Sequence, residues 1–171
     1  MKWPRLLIPV LLVSACAPAQ RPALVPSDYS GWTRSTQREL DYPIPGHADN
    51  FRRIYINKTG ENPRIETSGG RPVWTYPEGT QIIKEVYKGL APAPGEKPVA
   101  LTVMLKAARD KDARGGWLWI SKNVASGAES IIAEEFCVTC HSNANEKHPY
   151  ADGNPREEFR DYVFFSYPPP K

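Results

Sequence analysis

Val99-Ala100-Leu101-Thr102-Val103-Met104-Leu105 alternates: Val99, Leu101, Val103 and Leu105 fall on one face, and Ala100, Thr102 and Met104 on the other. A period of two is the mark of a β-strand. Apolar residues on both faces place this strand near the centre of a sheet. Working outward, further strand-like stretches flank it. Residues 80–87 (TQIIKEVY) are rich in β-branched side chains, and residues 52–57 (RRIYIN) set Ile54 and Ile56 on one face. Trp117-Leu118-Trp119-Ile120 follows a Gly115-Gly116 turn signal. Residues 161–167 (DYVFFSY) read as a fifth strand, stopped by Pro168-Pro169-Pro170. A short helix is predicted over 35–40, where Gln37, Arg38 and Glu39 favour it. A second, of about fourteen residues, is predicted to open at Ser126-Gly127 with Ser126 as its cap. Ala128, Ile131, Ile132, Phe136 and Val138 give that helix an apolar stripe. The fold class is therefore α+β, a predominantly antiparallel β-sheet with a few helices, one of them near the C-terminus.

The chain has 171 residues, enough for one domain of ordinary size. Its 18 prolines count against a mainly helical protein. A formal charge of +3 leaves no electrostatic footprint for nucleic acid. The N-terminus reads as an export signal. Lys2 and Arg5 precede an apolar run over residues 6–13, far short of the ~20 residues that a membrane-spanning helix needs. It ends in Val13-Ser14-Ala15-Cys16, which resembles a bacterial lipobox with Cys16 as the lipid acceptor. Residues 1–15 are the expected signal peptide, and their removal takes the formal charge from +3 to +1. Several acyl chains on Cys16 would anchor the protein stably, since that takes more than one chain. Ala17, rather than Asp, points by analogy with enteric bacteria to the outer membrane. Residues 16–30, with Pro18, Pro22 and Pro26, read as the lipidated cysteine and a tether; 31–171 form the domain proper. The expected location is the bacterial cell envelope, facing the periplasm.

The other two cysteines form Cys137-Val138-Thr139-Cys140-His141, the c-type haem attachment signature. On a helix, positions i, i+3 and i+4 share a face. Cys137 and Cys140 can then add to the two vinyl groups on one haem edge, forming thioether bonds, while His141 turns under the ring to bind iron axially. The expected cofactor is one covalent haem c. A zinc site would need further ligands, and His47 and His148 are not suitably spaced. A thioredoxin-type pair would need an α/β pattern that is not present.

A late attachment motif with strands before and after it resembles the cytochrome P-460 family, which includes the cytochromes c′-beta. The resemblance covers most of the chain after about Phe51. It is carried by Tyr76-Pro77-Glu78-Gly79-Thr80 running into Ile83-Lys84-Glu85-Val86-Tyr87, by Val103-Met104-Leu105-Lys106 with Arg109, by Gly115-Gly116-Trp117, by the haem motif, and by Asp161-Tyr162-Val163-Phe164. It implies a periplasmic β-sheet haem protein, often a homodimer, with His141 as proximal ligand and an open sixth iron position. Its members bind nitric oxide or oxidise hydroxylamine. A small gaseous or nitrogen-oxide ligand and a redox partner protein are the expected partners of this chain. In the hydroxylamine-oxidising members a lysine is cross-linked to the macrocycle. The stretch read as corresponding, Arg71-Pro72-Val73-Trp74-Thr75, has none, which counts against the cross-link and with it hydroxylamine oxidation; a gap in the correspondence would bring Lys58 or Lys84 into play. The alternative is a six-coordinate electron-transfer cytochrome without substrate chemistry.

Few side chains offer a second iron ligand. Met104 reads as core filler, His47 as a surface-loop residue, and His148 as too close in sequence to His141 to reach the other haem face. Lys84 reads as a half-exposed strand lysine. Trp74, Trp117 and Trp119 could wall a haem or fill the sheet core. Glu78, Glu85 and Asp112 could handle protons, but their spacing selects none, so no catalytic residue is assigned. The polar stretch 142–160 is expected to form a loop over the haem edge.

Overall fold

The structure, a computed structural model, describes residues 21–36, 39–44, 47 and 50–165. Its centre is an antiparallel sheet built from β1 (Thr33–Arg34), β2 (Arg52–Ile56), β5 (Gln81–Val86), β6 (Ala100–Lys106), β7 (Trp117–Asn123) and β8 (Glu129–Ile131), in the order β1-β2-β5-β6-β7-β8. A separate hairpin of β3 (Arg64–Ser68) and β4 (Arg71–Thr75) turns at Gly69-Gly70, both with positive φ. One helix follows, α1 (Phe136–Ser142), and runs into a 3-10 turn over Asn143–Asn145. The α+β class with one short helix near the C-terminus is what the sequence implies.

The central strand β6 lies between β5 and β7, as its two apolar faces require. The register then decides which side chains share a face. Ile56, Ile82, Met104 and Trp119 form one cross-strand row, and Ile54, Lys84 and Thr102 form the next. These residues make the front face, whose core includes Tyr76, Trp117 and Val163. The intervening residues Ile83, Leu101, Val103, Leu118 and Ile120 make the back face, against which Val25 packs. There the buried Glu85 carboxylate accepts hydrogen bonds from the hydroxyls of Tyr29 (3.0 Å), Tyr55 (3.4 Å) and Tyr87 (2.8 Å).

Three expectations are corrected. The helix expected to open at Ser126 is far shorter: residues 129–131 pair instead with β7, and helix begins only at Phe136. Glu129 explains the preference, since its carboxylate accepts the Leu24 and Val25 N–H groups at 2.8 and 3.3 Å and the Lys122 ammonium at 3.0 Å. A strand edge that satisfies so many donors outcompetes local helix propensity. The helix over 35–40 is absent from its described residues: Ser35 donates to the Ile54 carbonyl, and Leu40 bridges Arg52. Gln37 and Arg38 lie outside the described residues. The strand over 161–167 is also replaced. Asp161 and Tyr162 adopt φ of 50° and 69°, a left-handed conformation that ends any strand and costs ~1–2 kcal/mol per residue. Residues 166–167 of that stretch lie outside the described residues.

Candidate functional site

The front face does not close on itself. Between the sheet and α1 lies a deep, mostly apolar pocket, walled by Ile54, Ile82, Met104, Trp119, Ile132 and Phe164 among others. Cys137, Cys140 and His141 open into it from α1, and the exposed Phe136 flanks them. Both thiols are free. The i, i+3, i+4 spacing sets all three on the pocket side of a seven-residue helix. Burial pushes the Cys137 thiol upward, opposed by the positive charge of Lys84.

His141 is fixed in orientation. Its ring packs against Trp119 (centroids 4.8 Å apart) and Phe164 (5.3 Å). Its Nδ1 lies 2.9 Å from the Tyr162 carbonyl oxygen. A carbonyl can only accept, so Nδ1 carries the proton and the Nε2 lone pair is left for a ligand. Burial, and next the Lys84 charge, lower the imidazole pKa to about 4, which keeps it neutral and able to bind metal.

Two residues read as bland from the sequence belong to this pocket. Lys84 is a partly exposed strand lysine, as read, but it also lines the pocket, and its Nζ sits 2.6 Å from His47 Nε2. His47 is accordingly not a surface-loop histidine. Burial is the main cause that lowers Lys84 to about 7, and burial followed by the Lys84 charge lowers His47 to about 3. Beside them Arg52, buried on the same face as Ile54 and Ile56, donates to the carbonyls of Tyr42 and His47, while its Nε has no partner. Among the described residues the pocket wall carries the basic groups Arg52 and Lys84 and no carboxylate.

The remaining candidates sort cleanly. Met104 is core, as expected, and also lines the pocket. Trp119 walls the pocket, Trp117 is front-face core, and Trp74 pairs through its backbone with Phe159. His148 lies beyond Phe164 from His141, with ring centroids 5.0 Å from Phe164. Lys58 is at the surface, paired with Glu61. Glu85 is on the back face, Glu78 accepts the Ala108 N–H, and Asp112 pairs with Arg21. The loop over 142–160 brings Tyr150 and Ala151 to the pocket. It is held by Arg160, which binds Asp152 through two 2.8 Å bonds and Glu158 at 3.0 Å, and by the buried Asn154 amide.

Parity along the strands carried a signal for Arg52 and Lys84. Arg52 shares the face of Ile54 and Ile56, and Lys84 that of Ile82. His47, in an irregular segment, had no such signal.

The chemistry of this lining suits a largely apolar group with acidic substituents. The walls are apolar, the thiols are adjacent and unpaired, the imidazole offers a lone pair, and Arg52 Nε lacks a partner. No cluster of three His, Cys, Asp or Glu side chains among the described residues is placed to hold a bare metal ion. Among the described residues no helix is long and apolar enough to cross a membrane. No curated protein matches the chain. The family described as Cytochrome P460 matches residues 26–165, most of the chain. That family comprises bacterial periplasmic cytochromes with haem c and chemistry on small nitrogen species. The sheet, the late helix and the apolar pocket are therefore those of a chain that belongs to the cytochrome P460 family.

Proposed function

We propose that the chain is an exported, lipid-anchored c-type cytochrome with one haem, held by thioether bonds from Cys137 and Cys140 and ligated at iron by His141. The observation that carries this reading is the convergence of two free thiols and an Nδ1-protonated imidazole on one apolar pocket. Each thiol adds across one vinyl group, sulfur bonding the carbon next to the ring and hydrogen the terminal carbon, so no oxidant or reductant is consumed. Arg52 and Lys84 supply positive charge for the acidic substituents of the macrocycle. When bound, haem supplies an iron centre for redox or ligand chemistry.

On this reading the sixth iron position is open, and nitric oxide or hydroxylamine is bound or converted there, with a redox partner protein exchanging electrons. Met104 is held in the core, and His47 Nε2 is engaged by Lys84, so neither stands as a free ligand. Lys84 is the lysine of the pocket wall and hence the residue that a lysine–haem cross-link would use. Because His47 does lie in the pocket, a six-coordinate electron carrier is the second reading. Spectra of the reduced protein with carbon monoxide or nitric oxide separate the two. A rapid Soret shift supports the open site, and an unchanged spectrum supports the carrier. Masses of the haem peptides after digestion report whether a second segment containing Lys84 is attached. The anchor through Cys16, facing the periplasm from the outer membrane, is tested by Cys16→Ala, which should release the protein from the membrane fraction.

A further inference from the structure

The Tyr162 carbonyl that receives the His141 Nδ1–H belongs to a segment with an improbable backbone. Asp161 and Tyr162 are consecutive non-glycine residues at positive φ, 50° and 69°. Such a conformation persists only where its surroundings over-determine it. Two ties do so here. On the sheet side, the Asp161 carboxylate accepts the Lys106 ammonium at 2.8 and 2.7 Å and the Tyr76 N–H at 3.1 Å. On the helix side, the Asn145 side-chain oxygen accepts two backbone N–H groups, those of Arg160 and Tyr162, each at 3.0 Å. Two N–H groups converging on one oxygen form a small nest, and its occupant fixes where the next carbonyl points. Asn145 is four residues after His141, so the ring closes: His141 donates to Tyr162, Tyr162 donates to Asn145, and Asn145 is tied by one turn of chain to His141.

We propose that Asn145 is a positioning residue for the axial histidine. It aims the Tyr162 carbonyl at His141 Nδ1 and thereby sets how strongly His141 donates to iron. A hydrogen bond at the far ring nitrogen makes an iron-bound imidazole a stronger donor, which favours the ferric state and lowers the reduction potential. The inference rests on His141 being the iron ligand and goes beyond it.

The test uses the haem-loaded protein and the variants Asn145→Ala and Asn145→Asp. Asn145→Ala removes the oxygen, while Asn145→Asp keeps an acceptor in place. Resonance Raman of the ferrous protein reads the iron–histidine stretch, and a redox titration reads the midpoint potential whatever the sixth position holds. With Asn145→Ala the stretch should fall in frequency and the potential should rise. Asn145→Asp should return the stretch to the parent value and bring the potential back to or below it. If Asn145→Ala proves too unstable to load, Asn145→Leu keeps the bulk of the side chain while removing its oxygen, and the same two shifts are expected. A coloured Asn145→Ala or Asn145→Leu protein with parental stretch and potential overturns the inference, as does a shift that Asn145→Asp leaves uncorrected. A colourless parent protein sinks the haem reading itself, which is a different failure.

Discussion

Asp161→Asn should be among the most damaging isosteric changes in the front core. The side chains of Asp161 and Lys106 retain only 6% and 11% of their exposure, and the ammonium contacts both carboxylate oxygens. The same carboxylate accepts the Tyr76 N–H at 3.1 Å and the Trp117 indole N–H at 3.2 Å. Replacing one oxygen by NH2 leaves Lys106 as a buried charge without a counter-ion and turns a donor toward another donor. Removing one member of a buried pair typically costs ~3–5 kcal/mol, because the remaining charge has lost its compensation. Asp161→Asn should fall in that range. Lys106→Met should cost less, ~1–3 kcal/mol, since the carboxylate keeps two N–H donors and the thioether chain fills much of the lysine stem's space. The pair should be non-additive: the double variant should be less unstable than the sum of the singles by ~1–3 kcal/mol. Urea denaturation of the haem-loaded proteins at neutral pH, fitted with a common slope, measures all three. A loss below ~1 kcal/mol for Asp161→Asn, or simple additivity in the cycle, would refute the view that this ion pair anchors the segment behind His141.

Two further outcomes follow from the same side-chain positions. In a haem-free background with both motif cysteines changed to serine, Lys84 releases its proton at about 7 when folded and at 10.5 when unfolded, so the unfolded chain binds more protons between those values. Stability should therefore rise as pH climbs from 7 to 10.5 and be lowest below that window, by at most ~5 kcal/mol; Lys84→Met should flatten the rise in parallel denaturation curves, and an identical rise in both chains would contradict the assignment. Gly60→Ala should destabilise by ~1–3 kcal/mol in thermal or urea melts, because the added Cβ would lie 2.6 Å from side-chain carbons of Ile56 and Thr80, within the packed front face.

Much of this architecture was legible because period-two alternation survives wherever a strand is buried on both faces. Residues 99–105 and 117–120 read correctly for that reason, and the flanking Gly115-Gly116 located the turn. What failed had non-local causes. Residues 128–132 are as compatible with helix as with strand, and only the partners that Glu129 finds in Leu24, Val25 and Lys122, distant from it or across a strand, decide the matter. Residues 161–165 carry strand-like side chains, yet Asp161 is held at positive φ by Lys106 and Tyr76, which are 55 and 85 positions away in sequence. The attachment motif needed only local spacing, so it stood out at once. The pocket's far wall did not, because Lys84 and His47 meet only after β5 has found its register with β2 and β6.

That wall also explains a physical asymmetry between the two faces of the sheet. The back face buries Glu85 but satisfies it with three hydroxyls, so it is a finished core. The front face places Lys84 in the same row as Ile54 and Thr102, and buries Arg52 with an Nε that has no partner. Both groups carry a desolvation cost, visible in the lowered pKa of each. A chain selected for stability alone would replace them with aliphatic side chains of similar volume, which is commonly neutral or favourable. Their presence makes sense if a bound group adds negative charge and apolar surface there. The front half of the domain would then reach its full stability only when loaded, and the covalent attachment proposed above would make that gain permanent rather than dependent on free ligand concentration.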